Sequence, residues 1–159
     1  MKAILTTNGY MVLVDDNDYE RVSLEKWSAM RQHRTLYAYF SRRGHKNTYM
    51  HRMICGESDG MEVDHVSGCG LDNRRENLRK CSHAQNIANQ GLQTSNTSGY
   101  KGVSFNKRDN KFESYICAGG KKAGLGYFSD PKRAALAYDE AAVRLFGKFA
   151  KTNQSLGLL

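Results

Sequence analysis

The sequence predicts an α+β protein made of two modules. A small β-scaffold runs into a strand, a long loop, a second strand and a helix, and a three-stranded antiparallel sheet packed on one helix follows. Three observations carry this. Short runs of alternating or aromatic residues, separated by turn residues, recur through the first half. A capped, alanine-rich helical pattern closes the second half. Between them lies an uncharged stretch, residues 90–98 (QGLQTSNTS), and the composition differs on its two sides. Residues 1–97 hold 13 Lys+Arg against 11 Asp+Glu and all five His, whereas residues 98–159 hold 11 against 5 and no His. Titratable chemistry and excess charge therefore sit in different places. The expected division is a first module over 1–90, a linker over 91–98 and a second module over 99–153, although a surface loop inside one domain would have the same composition as that linker.

In order along the chain, residues 9–14 read as a strand and the acidic Asp15 to Asp18 as a turn. Residues 27–32 and 36–42 are aromatic-rich and read as a hairpin, with Arg31, Arg34, Arg42, Arg43, His45 and Lys46 around its ends. That rim is either a surface that tracks phosphates or a solvated charged edge. Residues 61–66 read as a strand ending in a turn, residues 71–77 as a polar loop, and residues 78–81 as a second strand. Ser82 then starts a helix, with Gln85 three residues on completing a capping box. His83, Asn86 and Asn89 recur at three-residue steps and can share one face of it.

These residues suit hydrolysis of a phosphodiester with one hard cation. Mg²⁺ takes oxygen ligands, usually only one or two of them from protein. Asp64 offers a carboxylate, Asn86 an amide carbonyl, and a neutral His65 could take a proton from water. Strand alternation by itself points Asp64 and His65 to opposite sides, unless a kink at the strand end brings both toward the site. Residues 61–89, with Val-Asp-His, then Leu-Asp-Asn-Arg-Arg-Glu-Asn-Leu-Arg, then Ser-His-Ala-Gln-Asn, resemble the motif of HNH endonucleases of the ββα-metal type, specifically the phage and intron-encoded homing group. Asn77 falls 12 residues after His65 and Asn86 falls 21 after it. The resemblance implies that His65 is the general base, that Asp64 and Asn86 hold the metal, and that Asn77 braces the loop and orients His65 through its backbone. Asn86 stands where many members have His, which favours Mg²⁺ or Mn²⁺ over Zn²⁺, one ion per site. His51 and Arg52 match a His-Arg pair common upstream of the motif. For His51, packing and a phosphate contact both remain open, and His83 is either a helix-surface residue or a phosphate contact.

In the second half, residues 100–106, 111–118 and 122–128 read as three strands joined by turns. Asp130 and Pro131 then form an N-cap and N1 pair, opening a helix that runs to Gly147. Ala134, Ala137, Tyr138, Ala141 and Leu145 form its expected sheet-facing stripe. With Phe112 and Ile116 toward the helix, the opposite sheet face presents Lys111 and Tyr115 together with Lys101, Ser104, Asn106 and Lys122. Such a face can enter a major groove. Residues 98–153, with Ser-Gly-Tyr-Lys-Gly-Val, Leu-Gly-Tyr-Phe and Ala-Ala-Leu-Ala-Tyr-Asp-Glu-Ala-Ala, resemble the AP2 DNA-binding domain. Plant members often carry Arg where this chain has Lys101, Ser104, Asn106 and Lys122, and Trp where it has Gly124. Lys101 and Lys122 are then expected on phosphates, while Ser104, Asn106 and Tyr115 make different, weaker base contacts.

Over the whole chain, 159 residues carry a formal charge of +8 and a pI near 9.4, which points to a polyanionic partner. No run approaches the roughly 18 to 20 apolar residues of a membrane span, and the amino-terminal residues do not have the pattern of a signal peptide. A soluble, intracellular protein in the cytoplasm of a bacterial or phage-infected cell is expected, with no membrane partner. Cys55, Cys69, Cys81 and Cys117 form no Cys-x-x-Cys pair, so reduced thiols are expected. The function expected is a site-specific, metal-dependent DNA endonuclease, monomeric on double-stranded DNA and without a small-molecule cofactor. The rivals are a DNA-binding regulator with an inactive HNH module and a nonspecific nuclease.

Overall fold

The computed structural model describes residues 1–32, 35–56 and 60–159, so Arg34 of the expected basic rim lies outside the described residues, as does His33. The chain forms two compact units, Met1–Ser82 and His83–Leu159. Both are α+β, and every pair of neighbouring strands is antiparallel.

The first unit opens with a hairpin, β1 (Lys2–Leu5) on β2 (Met11–Val14). Only its second arm was legible. β1 is largely exposed and has no alternating pattern of its own, so it becomes a strand by pairing with β2. The acidic run expected as a turn instead opens a helix, α1 (Asp16–Val22), with Asp15 in the extended conformation of an N-cap. Carboxylates in a first turn favour a helix because they face the positive end of its dipole. A second sheet, β3 (Ser28–Gln32), β4 (Thr35–Phe40) and β5 (Thr48–Tyr49), contains the expected hairpin and leads directly into α2 (Met50–Cys55). The third is the pair β6 (Glu62–His65) and β7 (Leu78–Cys81), with a 3-10 turn at Arg75–Asn77 just before β7. β2, α1, β4, α2 and β7 meet in one core of Val12, Val14, Val22, Trp27, Ala38, Met50, Ile54 and Leu78. Trp27 anchors it, with Phe40 edge-on at 5.1 Å and its indole N–H donating to the Val22 carbonyl at 2.6 Å.

The second unit starts with α3 (His83–Ala88) and continues into a sheet of β8 (Val103–Asn106), β9 (Lys111–Ala118) and β10 (Lys121–Phe128), with β9 central. The register of β10 shifts between Gly124 and Gly126. Helix α4 (Pro131–Phe146) is capped as expected, the Asp130 carboxylate accepting from the Lys132 N–H at 2.9 Å. Its buried stripe is Ala134, Ala135, Tyr138, Ala141 and Ala142, whereas Ala137 is only half-buried and Leu145 is exposed. Small side chains let the helix lie close to the sheet. Gly102 shows how close: a side chain there would run into the Tyr138 ring, and its φ of 74° disfavours one as well.

Residues 91–98, expected as a linker, pack within this unit. The Asn96 amide donates to the Tyr100 carbonyl at 2.8 Å, and the Ser98 hydroxyl donates to the Val103 carbonyl at 2.7 Å. Farther on, Asn153 is wholly buried. Its Oδ1 accepts from the Lys101 N–H at 2.7 Å, while its Nδ2 donates to the Lys101 carbonyl at 3.1 Å and the Asp139 carboxylate at 2.8 Å. One amide therefore joins the entry to β8, the middle of α4 and the tail. Removing it leaves several buried polar groups unpaired, so Asn153→Ala should destabilise the second unit by about 2–4 kcal/mol in urea denaturation.

Candidate functional site

In the first unit the strand β6 ends with Asp64 and His65 both buried. Alternation sends them to opposite sides, and each side is covered. Asp64 meets its cross-strand partner Arg79, whose Nε and Nη2 lie 2.9 and 2.8 Å from one carboxylate oxygen. His65 faces a group of rings, with His51 at 4.9 Å and Tyr37 at 5.7 Å between centroids. Its Nε2 lies 3.3 Å from Oδ1 of Asn73, a residue the sequence reading did not single out.

Burial lowers the pKa of His65, against the opposing pull of the Asn73 hydrogen bond and the Asp64 charge, and so favours a neutral imidazole. His51 is pushed down to about 3, chiefly by burial and then by the charges of His65 and Arg52. Its Nδ1 is buried with no hydrogen-bond partner. Of the two readings left open for His51, the structure supports packing: the ring is enclosed by Tyr37, Tyr49 and His65 and is not available to a phosphate. Arg52 is exposed, with its guanidinium 5.6 Å from the Tyr49 ring centre.

Asn77 lies at the end of the loop between β6 and β7. Its Nδ2 donates to the Asp72 carbonyl at 2.7 Å, its Oδ1 accepts from the Ser67 N–H at 2.9 Å, and its carbonyl accepts from the Val66 N–H at 2.8 Å. Both limbs of the loop are thus tied beside His65. Asn86 and His83 belong to α3 of the second unit, Asn86 half-buried and His83 exposed. Among the described residues, no three or more His, Cys, Asp and Glu side chains are grouped to hold a metal ion. What the first unit offers at this place is a single buried carboxylate, Asp64, neutralised by Arg79.

In the second unit the face of the sheet turned away from α4 carries Ser104, Asn106, Lys111, Tyr115 and Lys122. Glu113, which strand alternation places on this face beside Lys111 and Tyr115, organises it. The Glu113 carboxylate takes the Lys122 ammonium at 3.0 and 3.1 Å and the Ser104 hydroxyl at 3.5 Å, and Lys122 lies 4.1 Å above the Tyr115 ring. Asn106 is occupied by the β8–β9 turn, accepting from the Arg108 N–H at 3.0 Å and donating to Asp109 at 2.9 Å. Lys101 departs from its expected role on a phosphate. Its ammonium is turned inward onto the carbonyls of Ala88 and Gln90, both at 2.7 Å, and of Lys151 at 3.1 Å. Burial pushes its pKa down to about 8. Lys101 is a structural cation that holds the segment after α3 and the tail against the start of β8.

Comparison with known proteins finds partial matches, each over about 40% of the chain. Over 63 residues, 40% of the chain, the protein is 43% identical to an AP2-like ethylene-responsive transcription factor of Arabidopsis thaliana. Over 62 residues it is 42% identical to APETALA2-like protein 2 of Oryza sativa subsp. indica. The chain carries a stretch of AP2-domain homology. The order of β8, β9, β10 and α4 is consistent with an AP2-like sheet on a helix. The chain is also 35% identical over 63 residues to Protein 3.8 of Escherichia phage T7. These matches span 13% and 14% of the two plant proteins and 52% of the phage protein. No family model and no solved structure matches the chain. Among the described residues no helix is long and apolar enough to cross a membrane.

Two outcomes follow. The folded state holds His51 neutral well below the ordinary imidazole pKa of about 6.5, so the unfolded chain takes up protons first as pH falls. Stability of the first unit should therefore decline as pH drops through about 6.5 and continue falling toward 3, and His51→Phe should flatten that decline. Trp27, the one Trp of the chain, reports it by fluorescence in urea titrations. In the AP2-like unit, Lys101→Met should cost about 1–3 kcal/mol by leaving carbonyls without a donor. Lys122→Met, at an exposed ion pair, should change thermal stability far less.

Proposed function

We propose that the protein is a sequence-specific DNA-binding protein that sets the outer face of the β8–β10 sheet against a duplex. The observation supporting this is the AP2-domain homology, shared with a protein named as a transcription factor. Charge agrees with it: residues 83–159 hold 11 Lys+Arg against 5 Asp+Glu. Lys111 and Lys122 supply phosphate contacts that set affinity and register, while Ser104 and Tyr115 reach base edges. Lys101 supports the sheet from beneath.

A second reading, favoured by the buried Asp64–His65 pair at a strand end, adds catalysis: a homing-type endonuclease leaving 5′-phosphate and 3′-hydroxyl ends. His65, neutral through burial, accepts the proton of an attacking water. Asn77 keeps the adjoining loop in place. Of the first unit's residues, Asp64 carries the oxygen donor type that a hard ion, Mg²⁺ or Mn²⁺, takes, and it would have to exchange Arg79 for the ion to hold it. Such an ion, when bound, offsets negative charge on the phosphate and the leaving oxygen. Without that chemistry the protein is a DNA-binding regulator.

Selection from a random duplex pool should return a consensus site, with affinity falling steeply as salt rises. Lys111→Ala and Lys122→Ala should each weaken binding and reduce the salt slope by about one. Recovery of no preferred sequence would sink the binding reading. Supercoiled plasmid with Mg²⁺ separates the enzyme from the regulator: wild type should nick it and His65→Ala should not. An untouched plasmid with wild type leaves the regulator.

A further inference from the structure

Asn73, wholly buried in the loop between β6 and β7, links His65 to an element with no reactive group of its own. Its backbone N–H donates to the Leu13 carbonyl of β2 at 2.8 Å, and the Leu13 N–H donates to the Leu71 carbonyl at 2.9 Å. The leader strand therefore grips the loop on both sides of Asp72. Arg75 tightens the hold, its backbone N–H on the Asp15 carboxylate at 2.7 Å and its guanidinium on Asp18 at 2.7 and 2.8 Å. On the other side Gly70 lies so close to β4 that a side chain there would strike the Leu36 carbonyl and the Tyr37 ring.

The loop so held dictates how the Asn73 amide is turned. The Gly70 carbonyl can only accept, so it fixes the Nδ2 end, 3.3 Å away. That directs Oδ1 at Nε2 of His65, also at 3.3 Å. An amide oxygen can only accept as well, so in the neutral imidazole the proton belongs on Nε2 and the lone pair on Nδ1.

We infer that Asn73 is a positioning residue for His65: anchored by β2, it fixes the imidazole's orientation and its Nε2–H tautomer. The catalytic consequence rests on the endonuclease reading, whereas the tautomer is a property of the folded first unit. It also gives the leader hairpin a task, since the Leu13 backbone is the fixed point from which the ring is set.

The test uses the full chain with ¹⁵N-labelled His at about pH 8, where an ordinary imidazole is neutral. Long-range ¹H–¹⁵N correlation identifies the protonated nitrogen, and His65 is assigned by comparison with His65→Gln. Wild type should show Nε2–H. Asn73→Leu, of similar size but with no acceptor, should shift toward Nδ1–H, while Asn73→Asp, which keeps an oxygen toward Nε2, should retain Nε2–H. In plasmid nicking, Asn73→Leu should lower turnover about 10- to 100-fold with KM for DNA unchanged, as loss of a supporting hydrogen bond does elsewhere. Asn73→Asp should recover part of it. Nδ1–H in wild type, or a folded Leu variant with unchanged tautomer or unchanged turnover, overturns the inference. If the Leu variant does not fold, the Asp variant decides: Nε2–H supports the inference and Nδ1–H overturns it. If wild type does not nick, the endonuclease reading fails and the tautomer still decides the role of Asn73.

Discussion

Residues 66–77 form a polar loop that the first unit must hold in one shape beside a buried histidine. Ordering each residue costs roughly 1–2 kcal/mol of backbone entropy, and a loop of this length without regular structure over most of its course is uncommon in a compact domain. The loop has little apolar surface to offset that cost. Polar groups hold it instead: Asn77 ties its limbs, the Asp72 carboxylate takes the Arg74 guanidinium at 2.7 and 2.8 Å, and Arg75 reaches Asp18. Asp18, almost fully buried, is thereby paired, and α1 is joined to the loop. The leader hairpin, α1 and the ring cluster are all arranged around this one constraint.

The second unit solves a different problem. Its sheet and helix approach closely because the contact is built of alanines, and such a thin core leaves polar groups to close the ends. Asn153 and Lys101 do this from the inside. For Lys101 the arrangement carries a desolvation cost, visible in its lowered pKa, which is offset by carbonyl partners that would otherwise lack a donor. On the outer face Glu113 holds Lys122 and Ser104 in fixed relation. A carboxylate at the middle of a basic face moderates its attraction to phosphate and orders the side chains around it before anything binds.

The two units also distribute charge differently from the way a single basic domain would. The first, almost neutral overall, pairs Arg75, Arg79 and Arg74 with its carboxylates Asp18, Asp64 and Asp72. The second holds the excess.

The sequence by itself determined the α+β class, the strands β3, β4, β6, β7, β9 and β10 within a residue or two, and the capped helix α4. These are written in local pattern: alternation, turn residues, an N-cap followed by proline. It also singled out Asp64, His65 and Asn77, through the resemblance of residues 61–89 to a family motif. Only the tertiary structure decided β1, which is a strand through its partner, and α1, whose acidic residues are first-turn carboxylates rather than a turn. It turned Lys101 inward, placed His51 in the ring cluster, and gave Asn73 and Glu113 their partners. The reason is common to these four. A side chain's role depends on which polar groups lie opposite it, and those come from distant parts of the chain: Leu13 for Asn73, Lys151 for Lys101, Tyr37 for His51. Local pattern encodes the backbone's repeat, whereas the direction in which a buried polar side chain satisfies its hydrogen bonds is settled only once the elements have packed.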